Sequence, residues 1–446
     1  MIRRSILIQS TAADHCIGKM YKGASLNRQL GQVAILTVVL IALGVGAAVF
    51  AFVGNQIPVA TRMKDQGTAM LQVKSALIGY AVSGDTATQW RPGELPCPDT
   101  DNDGYQETTC AAGALGRVPW KTLNIPEPKG TYQETLWYAV SSNFYHKGSG
   151  GTPNVINSDT VGNLSVYQNS TSGASTPAGS LLTSRAAAVI FAPGETLSTQ
   201  DRTSSTSALC TTTNTTIARN LCAVNYLDAI TGTGAINNAA LNPTSFVRTT
   251  YSSSTTFNDT LIYITSDELI PIVEKRVVTV LLTLLKAYKT ATGVYPYADV
   301  SDGVANVGYN RSRFACNAAG ALPTAWGNGG TPTLPTWFSY GCSNPQTGWT
   351  GTILVTAGAN ALASCTQSCS ASLRLDGVFG TSLLIITPGA KPSGNGRTTA
   401  TFPSSGGNGY FADATNAGGD DTYVTPSGTA NKLYKCPDAT NPNAIC

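Results

Sequence analysis

The hydrophobic pattern of the chain is dominated by one uninterrupted apolar run, Gln32 to Val53, that carries no charge. As a helix it would extend about 33 Å, enough for a hydrocarbon core of about 30 Å. Pro58 follows and is expected to kink the helix. Beyond it, in Val59 to Val82, Met63, Met70 and Leu77 recur at seven-residue spacing, as do Val73 and Tyr80, which predicts an amphipathic helix with one packing stripe. A second helix is predicted from Ser266, with Ser266 as N-cap, Asp267 and Glu268 at its positive end, Lys286 and Lys289 at its negative end, and Gly293 as terminator. Pro271 offers an alternative first turn. Val273, Val277, Val280, Leu281, Leu284, Leu285 and Tyr288 make this helix broadly apolar, which predicts burial.

The order of elements repeats. A helix ending Leu77-Ile78-Gly79-Tyr80 is followed by L-P-C-P-D-T-D-N-D-G from Leu95, C-A-A-G-A-L from Cys110 and W-Y-A-V-S from Trp137. Later, Leu285-Lys286-Ala287-Tyr288 is followed by Y-P-Y-A-D-V-S-D-G from Tyr295, C-N-A-A-G-A-L from Cys316 and W-F-S-Y from Trp337. Both series reach an apolar strand closed by Pro-Gly, A-A-A-V-I-F-A-P-G from Ala186 and S-L-L-I-I-T-P-G from Ser382. Both then reach a polar segment before a strand, N-D-T-L-I-Y-I-T from Asn258 and D-D-T-Y-V-T-P from Asp420. The shared order predicts a tandem duplication with its boundary near Ser266.

Charge sets the orientation of the apolar run. Arg3, Arg4, Lys19, Lys22 and Arg28 precede it against the single acid Asp14, so this end is expected to stay cytoplasmic and the rest to face outward. A secretory signal peptide cut near Ala47-Ala48-Val49 is the competing reading of the same residues. The whole chain carries a net charge of +3, which the leader accounts for. The remainder lacks the basic excess of a nucleic-acid binder. Apart from Cys16, the cysteines form neighbour pairs in sequence: Cys97 and Cys110, Cys210 and Cys222, Cys316 and Cys342, Cys365 and Cys369, Cys436 and Cys446. An even set of this kind suits disulfides and an oxidising compartment, although spacing does not fix the connectivity.

A basic leader, a glycine, an apolar helix running into an amphipathic one and a cysteine-bearing strand region form a layout that resembles type IV pilins and type II secretion pseudopilins. The segments L-P-C-P-D-T-D-N-D-G, G-R-V-P-W-K-T-L from Gly116, F-N-D-T-L-I-Y-I-T from Phe257 and P-I-V-E-K-R-V from Pro271 are similar to stretches of large, atypical prepilin-like proteins. The resemblance implies cleavage by a prepilin peptidase after Gly31, with Gln32 as the first mature residue. It implies an α+β fold: leader 1–31, a transmembrane helix 32–58, and two tandem pilin-like domains, 59–265 and 266–446, each a helix plus an antiparallel sheet. It further implies a bacterial inner-membrane origin with periplasmic domains, reaching a pilus or the cell surface after assembly, and other pilins or pseudopilins as partners. The family usually has Phe at the first mature position and Glu at the fifth, where this chain has Gln32 and Leu36. That carboxylate is thought to neutralise a neighbouring subunit's terminal amine inside the filament, where an unpaired charge costs several kcal/mol. Its absence favours a minor or tip subunit. A membrane-anchored periplasmic enzyme or binding protein is the rival class.

The strongest chemical motif is Asp99-Thr100-Asp101-Asn102-Asp103-Gly104-Tyr105-Gln106-Glu107. Acids at alternate positions before a glycine turn bring several oxygens to one hard cation, with calcium the natural candidate. Asp99, Asp101 and Asp103 would supply side-chain oxygens, Tyr105 its carbonyl, and Glu107 a direct or water-mediated oxygen. The position of the bidentate acid in an EF-hand falls on Cys110, which a bond to Cys97 would turn into a covalent staple. The competing reading is a solvated acidic turn. Asp299 and Asp302 keep little of the motif, and Gly418-Gly419-Asp420-Asp421 is a weaker acidic turn. Catalytic motifs are scarce: His15 and His146 are the only histidines, and there is no G-x-S-x-G, H-E-x-x-H or P-loop. The expectation is a structural protein without catalytic residues, though carboxylate-pair hydrolysis stays open because spacing in the fold is not readable.

Overall fold

The computed structural model describes residues 38–42, 45, 61–83, 91–110, 115–145, 156–169, 179–203, 222–230, 235–240, 243–249, 256–292, 311–312, 349, 354–357, 373–376, 378–391, 393, 422–423 and 432–437. The chain divides into two compact units, 1–64 and 65–446. In the first, residues 38–42 and 45 are helical, and Val38, Val39, Leu40, Ile41 and Val45 are all exposed.

Among the described residues the larger elements are two mixed β-sheets and the helices α1 (61–83) and α2 (Ser266–Thr292). The first sheet is built from β1 (Leu115–Arg117), β2 (Trp137–Val140), β3 (Leu164–Asn169), β4 (Ser180–Ala192), β7 (Ser245–Thr249) and β8 (Thr260–Thr265). Their order is β1-β2-β4-β3-β7, with β8 on the other edge of β4. The long strand β4 is the axis: β3 pairs its first half, β2 its second, and β8 runs along Ala186 to Ala192. Short strands β5 (Ala229–Ile230) and β6 (Ile236–Asn237) form a separate hairpin.

The second sheet uses β9 (Arg311–Ser312), β10 (Leu354–Ala357), β11 (Leu373–Leu375), β12 (Val378–Thr387), β13 (Thr422–Tyr423) and β14 (Lys432–Pro437). Its order is β9-β10-β12-β11-β13, with β14 also on β12. Every pairing of the first sheet has a counterpart here, including the one parallel pair, β3 with β7 in the first and β11 with β13 in the second. In both, the long strand breaks register against two of its three neighbours.

Burial explains why β4 reads as an unbroken apolar run. Ala188, Ile190 and Ala192 face one hydrophobic core, and Ala186, Val189 and Phe191 face another on the opposite side. A strand covered on both faces has no polar positions to alternate with. α1 buries Met70, Val73, Leu77 and Ala81, one stripe at helical spacing, in the first of these cores. α2 adds Leu269, Val273, Val277, Leu281 and Leu285 to the same core, and the second sheet adds Leu383 and Ile385. Polar ties reinforce the packing. Gln66 on α1 donates to Thr260 Oγ1 (2.7 Å) and accepts from Thr131 N (2.8 Å), and Lys74 donates to the Tyr263 carbonyl and pairs with Glu268. α2 is capped by Thr265, whose Oγ1 accepts from Glu268 N (3.2 Å), one residue before the expected Ser266, whose hydroxyl turns to the Arg185 carbonyl.

These observations correct the expected fold class. Among the described residues no helix is long and apolar enough to cross a membrane. α1 carries Arg62, Lys64, Asp65 and Lys74, and α2 exposes Asp267, Glu268, Lys275, Arg276 and Lys286, so both are amphipathic packing helices. The sheets are mixed, because β7 and β13 reach the edge by long crossovers that leave them parallel to β3 and β11, a direction that strand patterns do not encode. α2, Leu383 and Ile385 belong to the same hydrophobic core as α1 and one face of the first sheet.

Candidate functional site

The acidic loop between α1 and β1 begins on a strand edge. Asp99 N donates to the Arg117 carbonyl (3.0 Å) and Arg117 N donates back (2.6 Å), so the loop is added to the rim of the first sheet. The close approach needs Gly116, where a β-carbon would lie 2.4 Å from the Asp99 carbonyl oxygen. From there the chain turns back sharply. Asn102 and Gly104 take φ values of 67° and 87°, which Asn tolerates and Gly adopts freely. A side chain at Gly104 would also strike Trp120, 2.8 Å away. The Cys97–Cys110 disulfide closes the loop at its base.

Local hydrogen bonds fix the acids. Asp99, 2% exposed, accepts from Asn102 N (2.6 Å) and Gly104 N (2.8 Å). Glu107 accepts from both Thr100 N (2.9 Å) and Thr100 Oγ1 (2.5 Å). Asp101 caps Asp103 N, and Asp103 caps Tyr105 N. Lys121 donates to the Asp103 carbonyl and stands over the rings of Tyr105 and Trp120 at 4.9 and 5.1 Å. Burial raises the Asp99 pKa to about 6; the Gly104 and Asn102 amides oppose the rise, and the charges of Asp101 and Asp103 add to it.

The loop brings Asp99, Asp101 and Glu107 together, with one carboxylate oxygen of each within 4.8 Å of the others. That is twice a calcium–oxygen distance of about 2.4 Å, so a single cation fits among them. The all-oxygen donor set suits a hard cation. Asp103 is not in this group, and its carboxylate holds Tyr105 N instead. Tyr105 turns its ring outward, half exposed, under Lys121.

Comparison with known proteins found no matching family model, no similar curated protein and no similar solved structure.

Of the remaining predicted residues, Cys222 is disulfide-bonded and buried, and Cys436 lies on β14. Gly31, Gln32, Cys210, Cys316, Cys342, Cys365, Cys369 and Cys446 lie outside the described residues, as do His146, Asp299, Asp302 and the Gly418–Asp421 turn.

A second polar centre, on the far side of the first sheet, was not anticipated. Arg117, 6% exposed, stacks on Trp137 and Tyr226 at 4.9 Å each, and Arg202 stacks on the same Tyr226 at 4.9 Å. Arg202 also donates to the carbonyls of Asn225 (2.7 Å) and Gly194 (3.1 Å) and lies 3.8 Å from Glu134. Behind it Asp228 and Asp259 are buried, 3% and 0% exposed. The signal that could have found them is an acid set among apolar neighbours, Tyr226-Leu227-Asp228-Ala229-Ile230 and Phe257-Asn258-Asp259-Thr260-Leu261. The two acids are joined through their backbones, Asp228 N donating to Asp259 Oδ2 and Asp259 N to Asp228 Oδ2.

Proposed function

We propose that this protein is an exported structural subunit of the pilin and pseudopilin class, minor or tip-type, whose outer region is held rigid by disulfides and by a calcium ion at Asp99, Asp101 and Glu107. The observation that carries the reading is the division of labour along α1. Met70, Val73, Leu77 and Ala81 fasten the helix to its own sheet, while Met63 (47% exposed), on the same stripe, is left uncovered, and Leu71 (60% exposed) lies off the stripe. A packing stripe that its own domain covers only in part can extend onto a neighbouring subunit without unfolding that domain. The basic leader ending at Gly31, the disulfides and the resemblance of the quoted segments support export and processing by a prepilin peptidase. Leu36 in place of the family's glutamate supports a place at the end of an assembly. The role is one of assembly, with other pilins as partners and no catalytic residue.

The deciding experiment is the mature N-terminus, read by mass spectrometry from cells that carry a prepilin peptidase. A chain beginning at Gln32 is expected. An intact leader, or a cut after Ala48, would overturn the reading.

A further inference from the structure

The group that the assembly reading leaves unused is the buried pair Asp228 and Asp259. Each carboxylate is wired to the other residue's backbone. Asp259 Oδ2 accepts from Asp228 N (2.7 Å) and from Asn238 Nδ2 (3.3 Å). Asp228 Oδ2 accepts from Asn258 N (2.7 Å) and Asp259 N (3.2 Å), and its Oδ1 accepts from Gln200 Nε2 (2.8 Å). The pair therefore clasps three segments, the loop after β4, the stretch leading into β5 and the entry to β8. Asn238 ties in the edge strand β7, donating to the Val247 carbonyl (3.0 Å) and accepting from Val247 N (3.0 Å).

The charge count is unbalanced. Arg202, from the loop after β4, is the cation that acts on both carboxyls, and it also serves Glu134 at 3.8 Å. The other side chains facing the pair, Gln200, Asn238 and Asn258, are neutral, and Tyr226 presents its ring to Arg202. Asp259 Oδ1 meets no donor among the described residues although it is wholly buried. An ionised oxygen left so would cost several kcal/mol, whereas a neutral carboxylic acid there costs far less. No third carboxylate, histidine or thiol among the described residues converges on the pair, so a proton suits the site better than a metal ion.

We propose that Asp228 and Asp259 form a proton-holding clasp that keeps the outer edge of the first sheet closed at acid and neutral pH and loosens it in alkali. Burial raises the pKa of both acids, and the charge of Asp228 raises that of Asp259 further. In the unfolded chain both would ionise near pH 3.9. Between that value and the folded pKa the native state binds more protons than the unfolded one, so stability falls as pH rises through this window. The pair's contribution is full below the unfolded pKa and is lost above the folded one.

The test compares the wild-type chain with Asp259→Asn, which keeps a carbonyl oxygen for Asp228 N and Asn238 but cannot ionise. Between pH 5 and 9 the wild-type Tm should fall about 3–6 °C more than that of the variant. Parallel curves would overturn the proposal. Infrared spectroscopy of the wild type at pH 7.5, above the range in which Asp99 holds its proton, supplies a readout that does not need the variant to fold. A protonated carboxylic-acid carbonyl band is expected there and should vanish on further alkalinisation, and its absence would equally overturn the proposal.

Discussion

The two acidic centres of the first sheet start from the same residue type and reach opposite electrostatic solutions. In the Asp99 loop three carboxylates converge at the rim, Asp101 is exposed, and water or a cation can reach them. In the Asp228–Asp259 clasp two carboxyls are closed off, with backbone amides and the Gln200 side chain on all but one of their oxygens. Arg117 lies between them, its backbone paired with Asp99 and its guanidinium stacked on Tyr226 beside Arg202. Burial alone therefore does not set the role of an acid. What decides is whether the unsatisfied oxygens face one shared point or face protein, since the first arrangement invites a cation and the second a proton.

The comparison breaks most severely at the clasp. Asp228→Ala would leave the amides of Asn258 and Asp259 and the Gln200 side chain without their acceptor, all in a closed interior. Each buried donor left unsatisfied costs about 1–3 kcal/mol, so a loss of about 3–5 kcal/mol is expected in urea unfolding, whether or not calcium is present. A loss below about 1 kcal/mol would mean that water replaces the carboxylate and that the clasp is not closed.

At the rim the covalent closure should matter next. Replacing Cys97 and Cys110 together by Ser removes a bridge spanning 13 residues, for which about 2–3 kcal/mol is expected. The double variant should also weaken calcium-dependent stabilisation, because Asp99 and Glu107 lie within the closed loop. Gly104→Ala should cost about 1–3 kcal/mol through its positive φ and the contact with Trp120. Neither rim change should alter the pH dependence of the clasp.

The rim was far more legible in the sequence than the clasp. Alternating acids before Gly104, between two cysteines, announce a turn with convergent oxygens, because everything needed is local. The clasp joins Gln200, Asp228, Asn238 and Asp259, and only the sheet brings those segments together. The same distinction holds for the fold. Of the stripe readable from spacing, Met70, Val73 and Leu77 are buried while Met63 is exposed and Tyr80 half-buried, and the apolar α2 was readable as a packing face. The recurrence of Trp137 and Trp337, Ala186 and Ser382, and Asn258 and Asp420 marked the repeated order, and the two sheets share one topology. Strand direction was not readable, since β3 with β7 and β11 with β13 are parallel through connections whose length leaves either direction open. Nor did spacing reveal that Leu383 and Ile385 would join the core of α1 and α2.

Calcium should separate the two centres by sign. With calcium the wild type should gain about 2–3 kcal/mol at a free concentration about a hundredfold above its Kd, and Asp101→Ala should gain little. Differential scanning calorimetry in calcium and in chelator reads this directly, and equal melting of both proteins in both solutions would remove the site. Because the Asp99 pKa is raised to about 6, protons compete with calcium below that pH. The calcium-dependent gain should therefore shrink as pH falls from 7 to 5, a fall that does not loosen the clasp.

The smallest expected effect concerns Lys121, whose ammonium donates to the Asp103 carbonyl within the acidic loop. Its charge opposes the entry of a second cation, while its contacts with Tyr105 and Trp120 brace the turn that presents Asp99. The two influences have opposite signs, and exposure to solvent screens the first. Lys121→Gln, which can keep a donor to the carbonyl, should tighten calcium binding by about two- to threefold at low salt, with the gain fading in about 0.5 M salt. Lys121→Ala removes the brace as well and should bind no tighter than the wild type. If both variants gain equally, repulsion alone governs the rim; if both lose, the lysine belongs to the architecture of the loop and its charge is incidental.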